Sequence, residues 1–557
     1  MERESLYPVL ALLAFLVLSR LLAAALLPVT QDEAYYSLWA RHLDLGYSDH
    51  PPLIAWLAST ANLLAGSALA LRLGTLLITT LTLFATIRLL RIAGLGKPQQ
   101  VFAGLVLLSF NLAGILLGFL TTPDALLVLA WTLALGEASV ALMADRRRWI
   151  TAGLACGLGL LAKYIVVVIG LVFLWALLRD PARQIRTRWP WLGVAAALLV
   201  ILPHLAWNAG NEWITLRFQL IHRLPFSQSA SAEIGSHLPA PLPGNPASPV
   251  HQLSNYYYYV DPEVVPPTEP LPPPPRAKSR LSLAIDRLGE LFWSQLFLWG
   301  AFVVPIVILL AKEVIRRVRR QACRLDSGQV HSRLGPLFRG AVWIPIVFFS
   351  FVSIFTRVEA NWPAIYLVGA GVLLTPLFTL RKRTMLICAA VNLLLLTTVV
   401  AHSRNPFLPI RPMDDRILRE THGYRVLAEY TKSLDGPLFA ESYQIASMIT
   451  FYRPHAEVTQ WPDITTRRSE LTRRAEFIHQ DWNDVLGHGG FWLITTLRPA
   501  PQLPEFSADQ MIQLEDCLDA GFQETGVFEK PSYTPKCQDR AVHTWYAVHY
   551  VKQGSSK

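Results

Sequence analysis

The sequence predicts a polytopic α-helical membrane protein of about 11 transmembrane helices that ends in a soluble α/β domain. Three observations predict it. Of 557 residues, 52% are hydrophobic and only 16% are charged, where an ordinary soluble domain carries roughly 25% charged. The mean hydropathy is +0.34. The apolar residues gather in repeated runs of about 20, the length that crosses a hydrocarbon core. A disordered chain is excluded, and so is a wholly soluble globule. The net charge of +10 points first to basic cytoplasmic loops and gives no reason to invoke nucleic acid.

The apolar runs are 6–28, 68–90, 101–120, 125–143, 150–178, 191–207, 291–310, 341–355, 364–380 and 385–401. The first lacks the small-residue cleavage site of a signal peptide. The run 150–178 is too long for one straight span, and Lys163 interrupts it. It is therefore read as two short helices meeting near 162–164. Arginines and lysines then follow every even-numbered span. They are Arg88, Arg91 and Lys97, then Arg146–Arg148, then Arg179, Arg183, Arg186 and Arg188, then Lys312 to Arg320, and finally Arg381–Arg383. Such loops are cytoplasmic by the positive-inside rule. The N-terminus is then inside, and the first loop (29–66) and everything after His402 are outside, which in a bacterium is the periplasm.

This gives a membrane domain over 1–401 and an outside α/β domain over 402–557. In the tail, 437–440, 491–495 and 544–551 have strand patterns and 443–452 has helical spacing. Cys517 and Cys537 lie where a disulfide is chemically permitted. The stretch 227–280 holds runs of tyrosine and proline and is read as an extended or disordered insertion.

Chemistry-bearing residues concentrate on the outside loops. The first loop contains Gln31-Asp32-Glu33-Ala34-Tyr35-Tyr36 and Tyr47-Ser48-Asp49-His50-Pro51-Pro52. Adjacent Asp32 and Glu33 cannot face one way on a helix, so one points into a cavity while the other caps or pairs. The two prolines fix a turn and let a helix begin at Leu53, which presents Asp49 and His50 at a set place. Asp124 either caps the helix it opens or lines a site. Lys163, inside the membrane, either holds a phosphate or snorkels to the interface. Arg72 extends a cationic lining, and Glu359-Ala360-Asn361-Trp362 and the stretch from Trp207 to His222-Arg223 add polar groups beside aromatics. No Gly-rich phosphate loop or nucleotide fingerprint is present, so a nucleotide cofactor is not expected.

These motifs resemble the bacterial GT-C glycosyltransferases related to protein O-mannosyltransferase and the lipid A aminoarabinose transferase. Thr122-Pro123-Asp124, Leu161-Ala162-Lys163-Tyr164, Glu359-Ala360-Asn361-Trp362-Pro363 and Tyr443-Gln444-Ile445-Ala446-Ser447 look like the same family. The resemblance implies a lipid-bilayer enzyme that takes a sugar from a polyprenyl-phosphate donor to a lipid or glycan acceptor, with inversion. It implies catalytic Asp32 with Glu33 beside it, and a divalent metal held by Asp49 and His222. Asp49-His50 stands where the aminoarabinose transferase has Glu-Lys, so the donor-phosphate contact falls to His50, Lys163, Arg72 or Arg223. Asp124, Glu359 and Asn361 would line the cavity. Two other readings stay open at this point, a transporter of anionic lipid and a non-catalytic envelope protein.

Overall fold

The computed structural model describes residues 6–220, 251–253, 256–258, 279–318, 330–456, 458–461, 464, 469–473, 490–497, 500–503, 506–518, 521–527 and 541–552. The chain divides into two units. One is Met1–Leu27 with Trp39–Arg223 and Arg280–Arg404, and the other is Pro28–Leu38 with Leu224–Ser279 and Asn405–Lys557. The grouping of Pro28–Leu38 with the tail is not something the hydropathy pattern indicates.

The first unit is helical. Among the described residues seven helices are long and apolar enough to cross a membrane: Tyr7–Leu26 (α1), Ala68–Ile92, Pro123–Met143, Arg188–Gly210, Arg280–Lys312, Ser332–Phe355 and Lys382–Arg404. Shorter apolar helices at Pro98–Ser109, Arg148–Ala162, Tyr164–Leu178 and Pro363–Thr379 fall at the remaining expected spans. Sequence sets several of their ends. Ser67 accepts a bond from the Ala70 amide to start one helix, and Pro123 occupies a first helical position, where its missing N–H costs nothing. Glycines set the closest approach. A Cβ on Gly153 would lie 1.9 Å from the Gly193 carbonyl oxygen, and one on Gly193 would lie 2.4 Å from that of Trp149. Small residues thus let Arg148–Ala162 and Arg188–Gly210 pack backbone to backbone, as membrane helices do.

Breaks in the helices need compensation, because an unpaired backbone group in lipid costs several kcal/mol, on the order of a lost hydrogen bond or more. The expected break occurs at Lys163, whose backbone is extended (φ −160°, ψ 131°). Two further breaks appear where continuous spans were expected. The run 101–120 stops at Ser109 and restarts at Leu112–Leu116, with the Asn111 side chain accepting from the Gly114 amide and donating to the Leu107 carbonyl, both at 2.8 Å. The other break is a turn at Gly300–Phe302, where Gly300 has φ +57°. One buried side chain serves both breaks. Asn392 accepts from the Ala301 amide (2.8 Å) and donates to the carbonyls of Phe110 (2.8 Å) and Trp299 (3.1 Å). A side chain at Gly300 would collide with it.

The second unit is α/β. Two three-residue strands, β1 (His251–Leu253) and β2 (Tyr256–Tyr258), pair antiparallel; most of the expected 227–280 insertion lies outside the described residues. The main sheet has β3 (Leu438–Ala440), β4 (Val458–Gln460), β5 (Phe491–Thr495), β6 (Phe506–Cys517), β7 (Gly521–Val527) and β8 (Ala541–Lys552) in the order β4-β3-β5-β8-β6-β7. β3 runs parallel to β4 and β5, while β8 pairs antiparallel with β5 and β6. Phe439, Trp461, Phe491, Val548 and Tyr550 fill its core, with the Trp461 and Phe491 rings stacked at 4.4 Å. The helix Tyr443–Tyr452 begins at Ser442, whose hydroxyl caps it. The expected strands β3, β5 and β8 and this helix are all present. β4, β6 and β7 were not foreseen, because their residues alternate too weakly. Cys517 is disulfide-bonded, Cys537 lies outside the described residues, and Cys156 and Cys388 are free.

Candidate functional site

In the helical unit the break at Lys163 builds a polar cluster at one end of the bundle. The extended residue ends one helix and aims its ammonium at Asp124, which sits in the first turn of Pro123–Met143. The ammonium is 2.8 and 3.0 Å from the two carboxylate oxygens. Asn361 donates its side-chain amide to the second of these at 2.8 Å. Both charges are buried, with side-chain exposures of 10% and 6%. Desolvation on this scale is tolerated only when the pair is closely bonded and its remaining acceptors are filled, and Asn361 fills one. Glu137 lies 13 residues further along the same helix, about 20 Å away by helical rise. It pairs with Arg88 (2.6 Å), in the last turns of Ala68–Ile92, and with Arg148 (3.2 Å), the first residue of Arg148–Ala162. The two charge clusters therefore mark opposite ends of the bundle.

A second set of bonds fixes the loop that carries Asp49 and His50. The buried His204, in Arg188–Gly210, bonds the Leu45 carbonyl through Nδ1 (2.7 Å). Its Nε2 then accepts from the Tyr164 hydroxyl (2.5 Å) and the Asn208 amide (3.1 Å). Trp207 donates to the Asp44 carboxylate at 2.9 Å, Thr215 donates to the Tyr47 carbonyl at 2.7 Å, and Gln219 donates to the Asp49 carbonyl. Gly46 is a glycine because a Cβ there would enter the Trp207 ring. Trp39 stacks on Tyr47 at 4.5 Å. Asp49 is buried and His50 half-buried. Since Tyr164 follows Lys163, His204 connects the first loop to the Lys163 break. Sequence reasoning passed over His204; its only signal was an imidazole inside an apolar run.

The structure redirects several expected roles. Lys163 neither snorkels nor stands free for a phosphate, because its ammonium is bonded to Asp124. Asp124 does not cap its helix; Thr122 holds the cap position. Arg72 is fully buried and donates through Nη1 to the carbonyls of Ala24 (2.9 Å) and Leu27 (2.6 Å), which ties down the end of α1. Glu359 is exposed. His222 and Arg223 lie outside the described residues. No cluster of three His, Cys, Asp or Glu side chains suited to a metal occurs among the described residues.

Asp32 and Glu33 belong to the second unit, on the helix Gln31–Trp39 (α2). Thr30 and Glu33 form a capping box. The Thr30 amide and hydroxyl each donate to the Glu33 carboxylate at 3.2 Å, and the Glu33 amide returns to the Thr30 hydroxyl at 3.4 Å. This arrangement satisfies helix-end donors, so Glu33 is the capping member of the pair expected from the sequence. Asp32 is exposed. Beside it lies Glu420, whose carboxyl is held above the usual carboxylate range first by burial and then by the Asp32 charge, against Arg416 and Arg419. Nothing in the local sequence marks Glu420 as a neighbour of Asp32.

Residues 49–207 match the family described as dolichyl-phosphate-mannose-protein mannosyltransferase. The chain is 33% identical over 191 residues to the lipid A galacturonosyltransferase RgtD of Rhizobium johnstonii, covering 33% of this chain and 40% of that protein. It is 28% identical over 210 residues to the lipopolysaccharide core galacturonosyltransferase RgtA of the same organism, covering 36% and 41%. The chain thus spans about two fifths of the length of the curated relatives it matches. The crystal structure of ArnT from Cupriavidus metallidurans bound to undecaprenyl phosphate superposes with a TM-score of 0.57 at 14% identity, over 97% of both chains.

Proposed function

From a chain that has the GT-C membrane fold, we propose a glycosyltransferase that moves a sugar from a polyprenyl-phosphate donor to lipid A or core oligosaccharide on the periplasmic side of a bacterial inner membrane. The carrying observation is where the mannosyltransferase-family match falls. Residues 49–207 contain Asp124, Lys163 and His204, whose side chains are bonded around the Lys163 break, and the loop residues Asp49 and His50, whose loop His204 and Gln219 bond through the Leu45 and Asp49 carbonyls. The two galacturonosyltransferase relatives make a uronic acid the favoured sugar, and the lipid carried by the ArnT neighbour makes undecaprenyl phosphate the favoured carrier.

The reaction is a direct displacement. An acceptor oxygen bonds to the anomeric carbon, the bond from that carbon to the phosphate oxygen breaks, and the polyprenyl phosphate leaves with the electron pair. Attack from the opposite face inverts the anomeric centre. Asp32 is assigned to take the proton from an acceptor hydroxyl. His50 is assigned to meet the donor phosphate, since Lys163 and Arg72 bond within the protein. Asp49 with His222 is assigned to any divalent ion, and chelation tests it. The prenyl chain keeps the donor in the bilayer, because each buried CH₂ contributes about 0.8 kcal/mol.

The test is mass spectrometry of lipid A and core from cells with and without the gene. Loss of one hexuronic acid from a defined species is expected, and Asp32→Asn should reproduce the loss. Broken helices also occur in transporters. Unchanged glycans, together with lipid flux in sealed vesicles and no covalent product, would replace this reading with the transporter.

A further inference from the structure

In an α/β domain the crevice beyond the carboxyl ends of parallel strands is the usual place for a ligand. Here that edge lies at Ala440, Gln460 and Thr495, the last residues of β3, β4 and β5. It carries the start of Tyr443–Tyr452 and, past β4, Ser469, whose hydroxyl bonds Gln460. The occupant is part of the same chain. Tyr35 of α2 packs on Tyr443 with ring centroids 4.4 Å apart, and its hydroxyl accepts from the Glu470 amide at 2.8 Å. One turn earlier, Gln31 donates to the Tyr424 hydroxyl (2.6 Å) and to the Arg419 carbonyl (3.1 Å). Tyr35, Tyr36 and Tyr443 are buried. Asp32, between the two anchors in sequence, stays exposed and lies beside Glu420 on the segment that Gln31 grips.

We propose that the C-terminal domain is a positioning module for Asp32, with Gln31 and Tyr35 as the positioning residues and Glu420 as the carboxylate set beside it. The proposal rests on the transferase reading for its catalytic consequence. The physical logic is local. A nine-residue helix is too short to be stable alone in water, so its orientation comes from what grips it. A buried contact at Tyr35 and a half-buried one at Gln31, one helical turn apart, fix both its axis and its rotation. They leave the intervening carboxylate exposed and beside Glu420. A misplacement on the order of 1 Å at a reacting group costs roughly 100-fold in rate, so loosening the grip should appear in turnover.

The experiment uses the full chain in detergent or nanodiscs, with Tyr35→Phe, Gln31→Ala and the double variant. Backbone hydrogen exchange over 31–39 reads docking whether or not the protein has activity. Transfer from an undecaprenyl-phosphate-linked uronic acid reads catalysis. The double variant should exchange α2 amides about tenfold faster or more, since local opening sets exchange. Its kcat should fall roughly 10- to 100-fold with KM unchanged, and Gln31→Glu, which keeps the side chain's size but removes the donor to the Tyr424 hydroxyl and the Arg419 carbonyl, should lose as much as Gln31→Ala. Glu420→Gln should shift the pH profile of turnover without changing exchange over 31–39. Unchanged exchange in the double variant overturns the docking. Faster exchange with unchanged kcat overturns the positioning. A wild-type chain that transfers nothing defeats the transferase reading, while the exchange measurements still decide whether the tail holds α2.

Discussion

Lys163 and Asp124 show how a residue changes meaning once its partner is known. Alone, a lysine inside a membrane segment reads as a binding cation or a snorkelling anchor. Bonded to both oxygens of a buried carboxylate, with Asn361 on the same carboxylate, it becomes the lock that holds a helix break in place. Removing one partner leaves the other charge buried and unpaired, which costs about 3–5 kcal/mol, whereas replacing both with apolar residues of similar volume is close to neutral. Lys163→Met and Asp124→Leu should each lower the thermal unfolding midpoint in detergent sharply, and the double variant should recover most of the loss. A double variant no better than the singles would show that the pair is not the lock. The residue types were legible in the sequence, because ionisable groups stand out in apolar runs. Their pairing was not, because the partners lie 39 and 237 positions apart. The same separation hid His204 and Glu420.

At the scale of elements, long apolar spans were legible and interior breaks mostly were not. Lys163 advertised its break. Asn111 and Gly300 did not, since both depend on Asn392, which no local window includes. In the tail, strand register creates a titrating group that pattern reading also missed. β6 and β8 place Asp516 opposite His543, and His422 bonds Asp516 at 2.8 Å. Gly423 (φ +74°) leaves room for that carboxylate, where a Cβ would collide with it. Burial pushes His543 down from its ordinary 6.5 to about 4, with Asp516 opposing and His422 and Arg419 assisting. The unfolded chain then takes up a proton near pH 6.5 that the folded domain refuses until about pH 4. Stability contributed by His543 is present above 6.5 and lost as pH falls through that window, by about 3 kcal/mol in full. His422 runs the other way. Its bond to Asp516 raises it, so its contribution is complete below 6.5 and lost as pH rises through the raised value. Glu420 and Glu441 are raised chiefly by burial and strengthen the fold in acid, so the comparison must be between variants. Unfolding of the full chain from pH 7 to 4 should show the wild type losing stability relative to His543→Phe. Parallel curves would remove His543 from the account.

For the molecule as a whole, two independent observations bear on which way it crosses the membrane. One is charge. Five loops after even-numbered spans are basic, which supports, by the positive-inside rule, the proposed orientation with these loops in the cytoplasm and the tail on the far side. The helix breaks found at Asn111 and Gly300 leave that parity intact, because each interrupts one span without adding a crossing. The other is redox chemistry. Cys517 in the tail is disulfide-bonded, and such bonds persist in oxidising compartments and are rare in the cytosol. The free Cys156 and Cys388 belong to membrane helices. A sheet domain stapled by a disulfide on the cytoplasmic side would be reduced, and basic loops on the outer side would oppose the rule that orients the spans. Both observations support the proposed orientation. Alkaline phosphatase fused after Lys557 should therefore be active and a fluorescent protein fused there dark, with the reverse at a fusion after Arg148. Cys517 should resist a maleimide in intact spheroplasts until a reductant is added. A bright fluorescent protein at the C-terminus would invert the topology and move Asp32 and the whole tail away from any periplasmic acceptor. That outcome would end the proposed lipid A chemistry even if the fold stood.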